Sequence, residues 1–240
     1  MRFLLTAAAT AALLSAAAPA SAADRVVAGL GTAKVAGKTA TVEVFVAVPD
    51  GTSAKAAKDR AIRAQGATPV ANEFTFTGLK WGTLPVRQNY NPAGQPVNGA
   101  SALSGTNSPW STVSGSTFRI QSGGTTSRCP SLVKECAGAQ RNDRFNDVGW
   151  ARLANGTLGV TWSTSGTDEA DMAINTRYRW SLGCTAVSGT FDLQSVFLHE
   201  NGHVAGLGHS TNVGAVMYPS YQTARCALAA DDRAGIAALY

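Results

Sequence analysis

His199-Glu200-Asn201-Gly202-His203-Val204-Ala205-Gly206-Leu207-Gly208-His209 decides how this chain is read. It has the form H-E-x-x-H-x-x-G-x-x-H. His199 and His203 are four apart, so on a helix they sit one turn apart on one face. That spacing lets two imidazoles bind one metal ion. Glu200 lies between them and is better placed to reach a water on the metal than the metal itself. Gly206 can end the helix, because glycine enters left-handed backbone conformations at no steric cost. The reversed chain then returns His209 as a third ligand. Three nitrogens leave one position of a tetrahedral zinc open, which is the pattern of a catalytic site. The chain has 3 histidines, and all of them fall at these positions.

Downstream, Ser210 follows the third histidine directly, and Gly214-Ala215-Val216-Met217-Tyr218-Pro219-Ser220-Tyr221 comes next. The chain ends Leu228-Ala229-Ala230-Asp231-Asp232-Arg233-Ala234-Gly235-Ile236-Ala237-Ala238-Leu239-Tyr240. Upstream stands Phe191-Asp192-Leu193-Gln194-Ser195-Val196. With the histidine motif, these segments resemble the matrixins, the matrix-metalloprotease family of the metzincin zinc proteases. The resemblance is specific over residues 158–240, looser from Trp81, and absent before that.

The resemblance implies a metzincin α/β (α+β) fold. Its parts are a twisted mixed five-stranded sheet with an antiparallel edge strand, an active-site helix, a Met-turn and a C-terminal helix. It implies one catalytic zinc on His199, His203 and His209, with Glu200 as general base and Met217 packed below the histidines. Val196, Pro219, Ser220 and Tyr221 are expected to line the pocket just after the scissile bond, which in matrixins prefers apolar side chains. Asp231 and Asp232 correspond to a pair that can receive a mature N-terminus. The second, structural zinc of animal matrixins is not expected, because its histidines are missing. Many matrixins are kept latent by a propeptide cysteine on the zinc. Residues 23–100 contain no cysteine, so that switch cannot operate here. The implied activity is hydrolysis of protein or peptide substrates by a secreted endopeptidase. The alternative is a non-catalytic secreted zinc-binding protein of the same fold, against which Glu200 argues, since a structural site needs no base.

Composition agrees with a soluble globular protein. Residues 1–22 read as a signal peptide: Arg2, an Ala/Leu-rich apolar run, then Ala20-Ser21-Ala22 as the cleavage site. No other run is long enough to span a membrane. The net charge is +5, and residues 23–100 hold 9 Lys/Arg against 5 Asp/Glu while residues 101–240 balance. The excess is spread without interleaved aromatics, so it is a solvated face and not a nucleic-acid footprint. The chain is expected to act as a monomer. Its 4 cysteines suggest two disulfides in an exported protein. Three pairings are open. The favoured one joins Cys129 to Cys136 and Cys184 to Cys226, the second bracketing the active-site helix and Met-turn.

Residues 39–49 alternate Val42, Val44, Val46 and Val48 and read as a strand. Thr52 or Ser53 caps a helix that stops at Gly66. Phe74 and Phe76 alternate in a further strand over 73–77. Residues 23–78 thus form a small β-α-β unit, read as a propeptide or an accessory module. If it is inhibitory, it must cover the cleft and its edge strand, or place a carboxylate on zinc. The catalytic part starts near residue 79. Strands are expected over 84–90, 117–121, 147–153, 158–163 and 170–175, with a hairpin turn at Asn155-Gly156. The 158–163 strand corresponds to the family's edge, which pairs with substrate backbone. Residues 99–116 support the family's first helix poorly. Thr190 is expected to cap the active-site helix, with Asp192 in its first turn. Asp168, Glu169 and Asp171 are a candidate Ca2+ cluster.

Overall fold

Alternating valines build the first layer of the sheet. In the computed structural model, which describes residues 25–35, 38–48, 53–69, 76–130, 143–164, 168–210, 212–219 and 221–240, Lys38–Val48 forms β2. Val42, Val44, Val46 and Val48 are all buried on one face. Each such side chain offers about 1.5–3 kcal/mol on burial. β2 pairs antiparallel with β1 (Arg25–Val35) along its whole length. Helix α1 (Ala54–Ala64) follows, capped by Ser53, whose hydroxyl accepts from Ala56 N. The short β3 (Thr68–Pro69) returns to pair with β1. The N-terminal unit is therefore ββαβ, not βαβ. The strand expected over 73–77 is reduced to a single bridge from Phe76 to Leu207, and residues 70–75 lie outside the described set.

The expected five-stranded sheet is present. Its members are β4 (Val86–Tyr90), β5 (Ile120–Thr125), β6 (Asp147–Ala151), β7 (Thr157–Thr164) and β8 (Glu169–Asn175). Their order is β7-β8-β6-β4-β5; β7 runs antiparallel to β8 and the other pairs are parallel. β7 closes this five-stranded part, but the sheet continues past it. β2 pairs antiparallel with β7, so the whole is eight-stranded, β3-β1-β2-β7-β8-β6-β4-β5. Asn155-Gly156 is not a hairpin turn, because β8 is inserted between β6 and β7.

The Ser/Thr/Gly-rich stretch before β5 holds two short helices, α2 (Ala100–Ser104) and α3 (Asn107–Ser111). Trp110 on α3 is fully buried, and its Nε1 donates to Leu198 O at 2.9 Å. The two-stranded pair β9 (Trp180–Ser181) and β10 (Phe191–Asp192) leads into α4 (Leu193–Val204), and α5 (Ala230–Leu239) closes the chain. α4 is buried on nearly every side, so it is a core helix and not a surface one. Two apolar clusters result. The larger surrounds α4; the smaller joins the β2 valines, Ala61 and Ile62 to Ala151, Val160, Trp162 and Ala173. No helix among the described residues is long and apolar enough to cross a membrane. The proposed signal segment, residues 1–22, lies outside the described residues.

Candidate metal centre

Asp192 starts the helix that carries the motif. It is the N-cap, in place of Thr190, and its Oδ1 accepts from Ser195 N at 2.8 Å and from Ser195 Oγ at 2.6 Å. One carboxylate thus satisfies an orphan N–H at the positive end of the helix. At the other end, Gly206 has φ 95. A Cβ there would meet Leu79 O at 2.2 Å, so the reversal needs glycine twice over. Leu207 N donates back to Gly202 O at 2.9 Å, and the chain turns toward His209.

The turn brings the three histidines together. Ring centroids lie 4.7 Å apart for His199–His203, 5.5 Å for His199–His209 and 5.2 Å for His203–His209. One ligand nitrogen from each lies within 4.8 Å of the others. Nδ1 of His199 stands 2.7 Å from Val216 O, and Nδ1 of His203 stands 2.7 Å from Leu207 O. A carbonyl accepts only, so both Nδ1 atoms carry the proton and both Nε2 atoms present lone pairs. Those two Nε2 atoms are 2.8 Å apart. Two lone pairs at that distance share no proton between them and suit a cation bound by both. Burial, then the charges of His203 and His209, holds His199 well below its ordinary pKa, against the opposing Val216 carbonyl. Burial, then the positive charge of Lys58 on α1, pulls His209 down to about 3. Neutral imidazole is the metal-binding form, so the donor set fits zinc.

Met217 packs against α4 beneath this face. A Cβ on Gly202 would come within 2.2 Å of Met217 Sδ, so helix and methionine touch directly. The turn around Met217 is held by Asp232, whose carboxylate accepts from Val216 N at 2.8 Å, Met217 N at 3.0 Å and Ala229 N at 2.8 Å. Burial pushes the Asp232 carboxyl up, while these donors pull it back. Asp231 accepts from the Ser210 hydroxyl. In this structure the aspartate pair therefore holds the Met-turn and the Ser210 loop.

Glu200 is fully buried beside the triad, and the Thr161 hydroxyl of β7 donates to its Oε2. A pocket opens next to His199. Val196 and Tyr221 line it; Pro219 does not, and Ser220 lies outside the described residues. Sequence reasoning missed Ser195 and Arg225, which also line it. Ser195 Oγ accepts from Arg225 N at 2.7 Å, and Arg225 Nη1 donates to Ala215 O at 2.8 Å. The Cys184–Cys226 disulfide is formed and pins the residue after Arg225. Cys129 is also disulfide-bonded, but Cys136 lies outside the described residues. Also unforeseen is a buried relay behind α4: Gln88 Nε2 donates to Asn201 Oδ1 at 2.8 Å, and Asn201 Nδ2 donates to Thr106 Oγ1 at 2.7 Å.

The calcium expectation finds no cluster among the described residues. Asp168 turns toward Gly82 N, Glu169 accepts from Arg144 N, and Asp171 accepts from Asp147 N. Glu169 and Asp171 share a face of β8, and each is engaged by a different backbone N–H.

A buried histidine triad on a helix, closed by a glycine turn over a methionine, defines a metzincin-type zinc site. Residues 141–240 match the family profile described as Matrixin. Among curated proteins, Metalloendoproteinase 1 of Glycine max is 52% identical over 56 residues, which is 22% of this chain and 18% of that protein. Matrix metalloproteinase-25 of Mus musculus is 33% identical over 137 residues, 55% of this chain and 21% of its own length. Neutrophil collagenase of Homo sapiens is 44% identical over 59 residues, 23% of this chain and 13% of its own. The matches thus span about a fifth or less of these relatives.

Two stability predictions follow from the site. Asp232→Ala strips three N–H groups, two of them buried, of a charged acceptor and should cost at least about 3 kcal/mol in urea unfolding; Asp232→Asn should recover part of that loss. The second concerns pH in the metal-free protein. His209 is depressed from 6.5 to about 3, so between those values the unfolded chain binds a proton that the folded chain refuses. Stability is then full above about pH 6.5 and falls as pH drops, by about 1.4 kcal/mol per unit from this group. Urea midpoints across that range should show the slope, and His209→Asn should remove this group's share of it while that of His199 remains.

Proposed function

We propose that the chain is an exported zinc-dependent endopeptidase. The observation that carries this reading is the placement of Glu200, buried beside three converging imidazoles and oriented by Thr161. A structural zinc site uses four protein ligands and no base, whereas this ligand group counts three histidines among the described residues. Zinc bound there would supply a water of lowered pKa and a Lewis acid for the scissile carbonyl. Glu200 takes the proton of the attacking water and returns it to the leaving amine. Thr161 keeps its carboxylate turned to the metal side while that happens. The Val216 and Leu207 carbonyls hold His199 and His203 in the tautomer that offers Nε2. Export is supported by the residue pattern of 1–22 and by the disulfides. We read residues 79–240 as the catalytic part and residues 23–78 as a unit packed on it.

The pocket beside His199 takes the side chain after the cut. Val196 and Tyr221 favour an apolar stem, as leucine or methionine would provide. Arg225 adds a cation to the lining, and among the described residues no carboxylate is paired with it. Side chains ending in an oxygen acceptor, glutamine first, should therefore compete with leucine. Arg225→Leu should shift the ratio toward leucine by about tenfold, equivalent to about 1.4 kcal/mol. Paired quenched peptides differing only at that residue measure it.

The reading itself is tested by two variants. His203→Ala should lose zinc and turnover together. Glu200→Gln should keep zinc and fold and lose about 10²–10⁴ in rate, because only the proton transfer is removed. Zinc content and peptide cleavage, measured before and after removal of residues 23–78, separate this enzyme from a non-catalytic zinc protein. Near-normal turnover in Glu200→Gln would reject the mechanism.

A further inference from the structure

β7 is the strand that borders the metal site. The Thr161 hydroxyl holds Glu200, and a Cβ on Gly159 would lie 3.2 Å from Glu200 Oε1 and 3.4 Å from Val196 Cγ1. One edge of β7 is paired with β8 over Gly159–Thr164. An extended peptide lying across Glu200 would use the other edge, adding as a further strand. That edge is taken. β2 runs antiparallel along it, with Ala40 opposite Thr164, Thr41 opposite Ser163, Val42 opposite Trp162, Glu43 opposite Thr161 and Val44 opposite Val160. Glu43 thus stands in register with the residue that orients the proposed base.

The unit that supplies β2 is anchored elsewhere too. Its valines share an apolar cluster with Val160 and Trp162 of β7. Its α1 places Lys58 within electrostatic reach of His209. The chain leaves the unit along the end of α4, where Thr77 N donates to Gly206 O at 2.9 Å. Residues 23–100 hold no cysteine, so no thiol latches it. It also keeps its own structure apart from β7, since all of β1 pairs with β2 and Ile62 of α1 packs on the β2 valines. The ladder to β7 is the less regular contact: its register shifts between Val44 and Val46, opposite Val160 and Thr157, beside Gly159. The interrupted ladder is the one of these contacts that covers the edge of β7, so separation there is what would free it.

We propose that the N-terminal unit is a resident cap that keeps the cleft latent by occupying the strand position of the substrate, and that activity begins when β2 leaves β7. This rests on the endopeptidase reading above. The cap acts through backbone pairing and leaves the metal ligands intact, so the latent chain binds zinc fully.

The test uses the zinc-loaded full chain, because the shared apolar cluster makes folding of a shortened chain a separate question. Two disulfide locks fasten β2 to β7: Thr41→Cys with Ser163→Cys, and Ala40→Cys with Thr164→Cys. Adjacent antiparallel pairs alternate in spacing, so one of the two locks has the closer geometry that a disulfide needs. The single-cysteine chains are the unlocked controls. Each protein is assayed on a quenched peptide library before and after limited proteolysis that severs the cap from residues 79–240. We expect low cleavage before severing in all of them, a rise of at least tenfold after it in the controls, and no rise in the locked chain that forms its disulfide. Zinc content should be equal throughout, and β7 amides should lose hydrogen-exchange protection only where activity rises. Equal rates before and after severing, or an equal rise in the locked chain, would overturn the cap. A cap-free, zinc-loaded protein that cleaves no peptide would overturn the endopeptidase reading, and this inference with it.

Discussion

Three imidazoles must meet at one point with their lone pairs inward and no proton between them. Much of residues 79–240 is arranged around that demand. Two backbone carbonyls, Val216 O and Leu207 O, take the Nδ1 protons and so fix which nitrogen faces the metal. Each carbonyl has to be placed in turn. Leu207 O depends on the glycine reversal at Gly206, and Val216 O depends on Asp232 gripping the Met-turn. Burying the rings makes their charged forms costly and keeps them ready as ligands. The site is thus prepared by burial and by backbone position, two terms that fail together if α4 loosens.

α4 is held by indole donors as well as by apolar packing. Trp110 Nε1 donates to Leu198 O at 2.9 Å and Trp81 Nε1 to Val204 O at 2.6 Å, one for each half of the helix. Both rings are buried, so each adds apolar area and a fixed hydrogen bond at once. Asn201, the residue after His199-Glu200, is tied by Gln88 and Thr106 behind α4. These contacts come from segments separated by about a hundred positions along the chain, which is why the whole catalytic sheet is needed to place eleven residues.

Much of this was legible from the residues. The histidine spacing with its glycine located the site before any fold was known, because metal geometry admits few spacings. The alternating valines of β2 and the Ser53 cap were equally direct. The missed features share a cause: they are decided by partners distant in sequence. β1 has a weak alternation and becomes a strand because β2 lies beside it. α3 is made of poor helix formers and is fixed by Trp110 entering the core, while the short α2 is fixed by burial of Ala102 and Leu103. Thr190 was the expected cap and Asp192 takes the position instead, where its carboxylate accepts from both Ser195 N and Ser195 Oγ. Asn155-Gly156 carried the local signature of a hairpin, yet topology placed β8 between the strands it joins. Arg225 gave no signal, since its role comes from a loop pinned next to α4 by the Cys184–Cys226 disulfide.

The central claim is that His199, His203 and His209 alone hold the zinc and leave one position for water beside Glu200. X-ray absorption of the zinc-loaded full chain, at neutral pH, reads the ligand shell without requiring turnover. Three imidazole nitrogens at about 2.0–2.1 Å with one further light-atom ligand, and no sulfur near 2.3 Å, is the predicted shell. A shell with a sulfur ligand, or with fewer than three imidazoles, would contradict it.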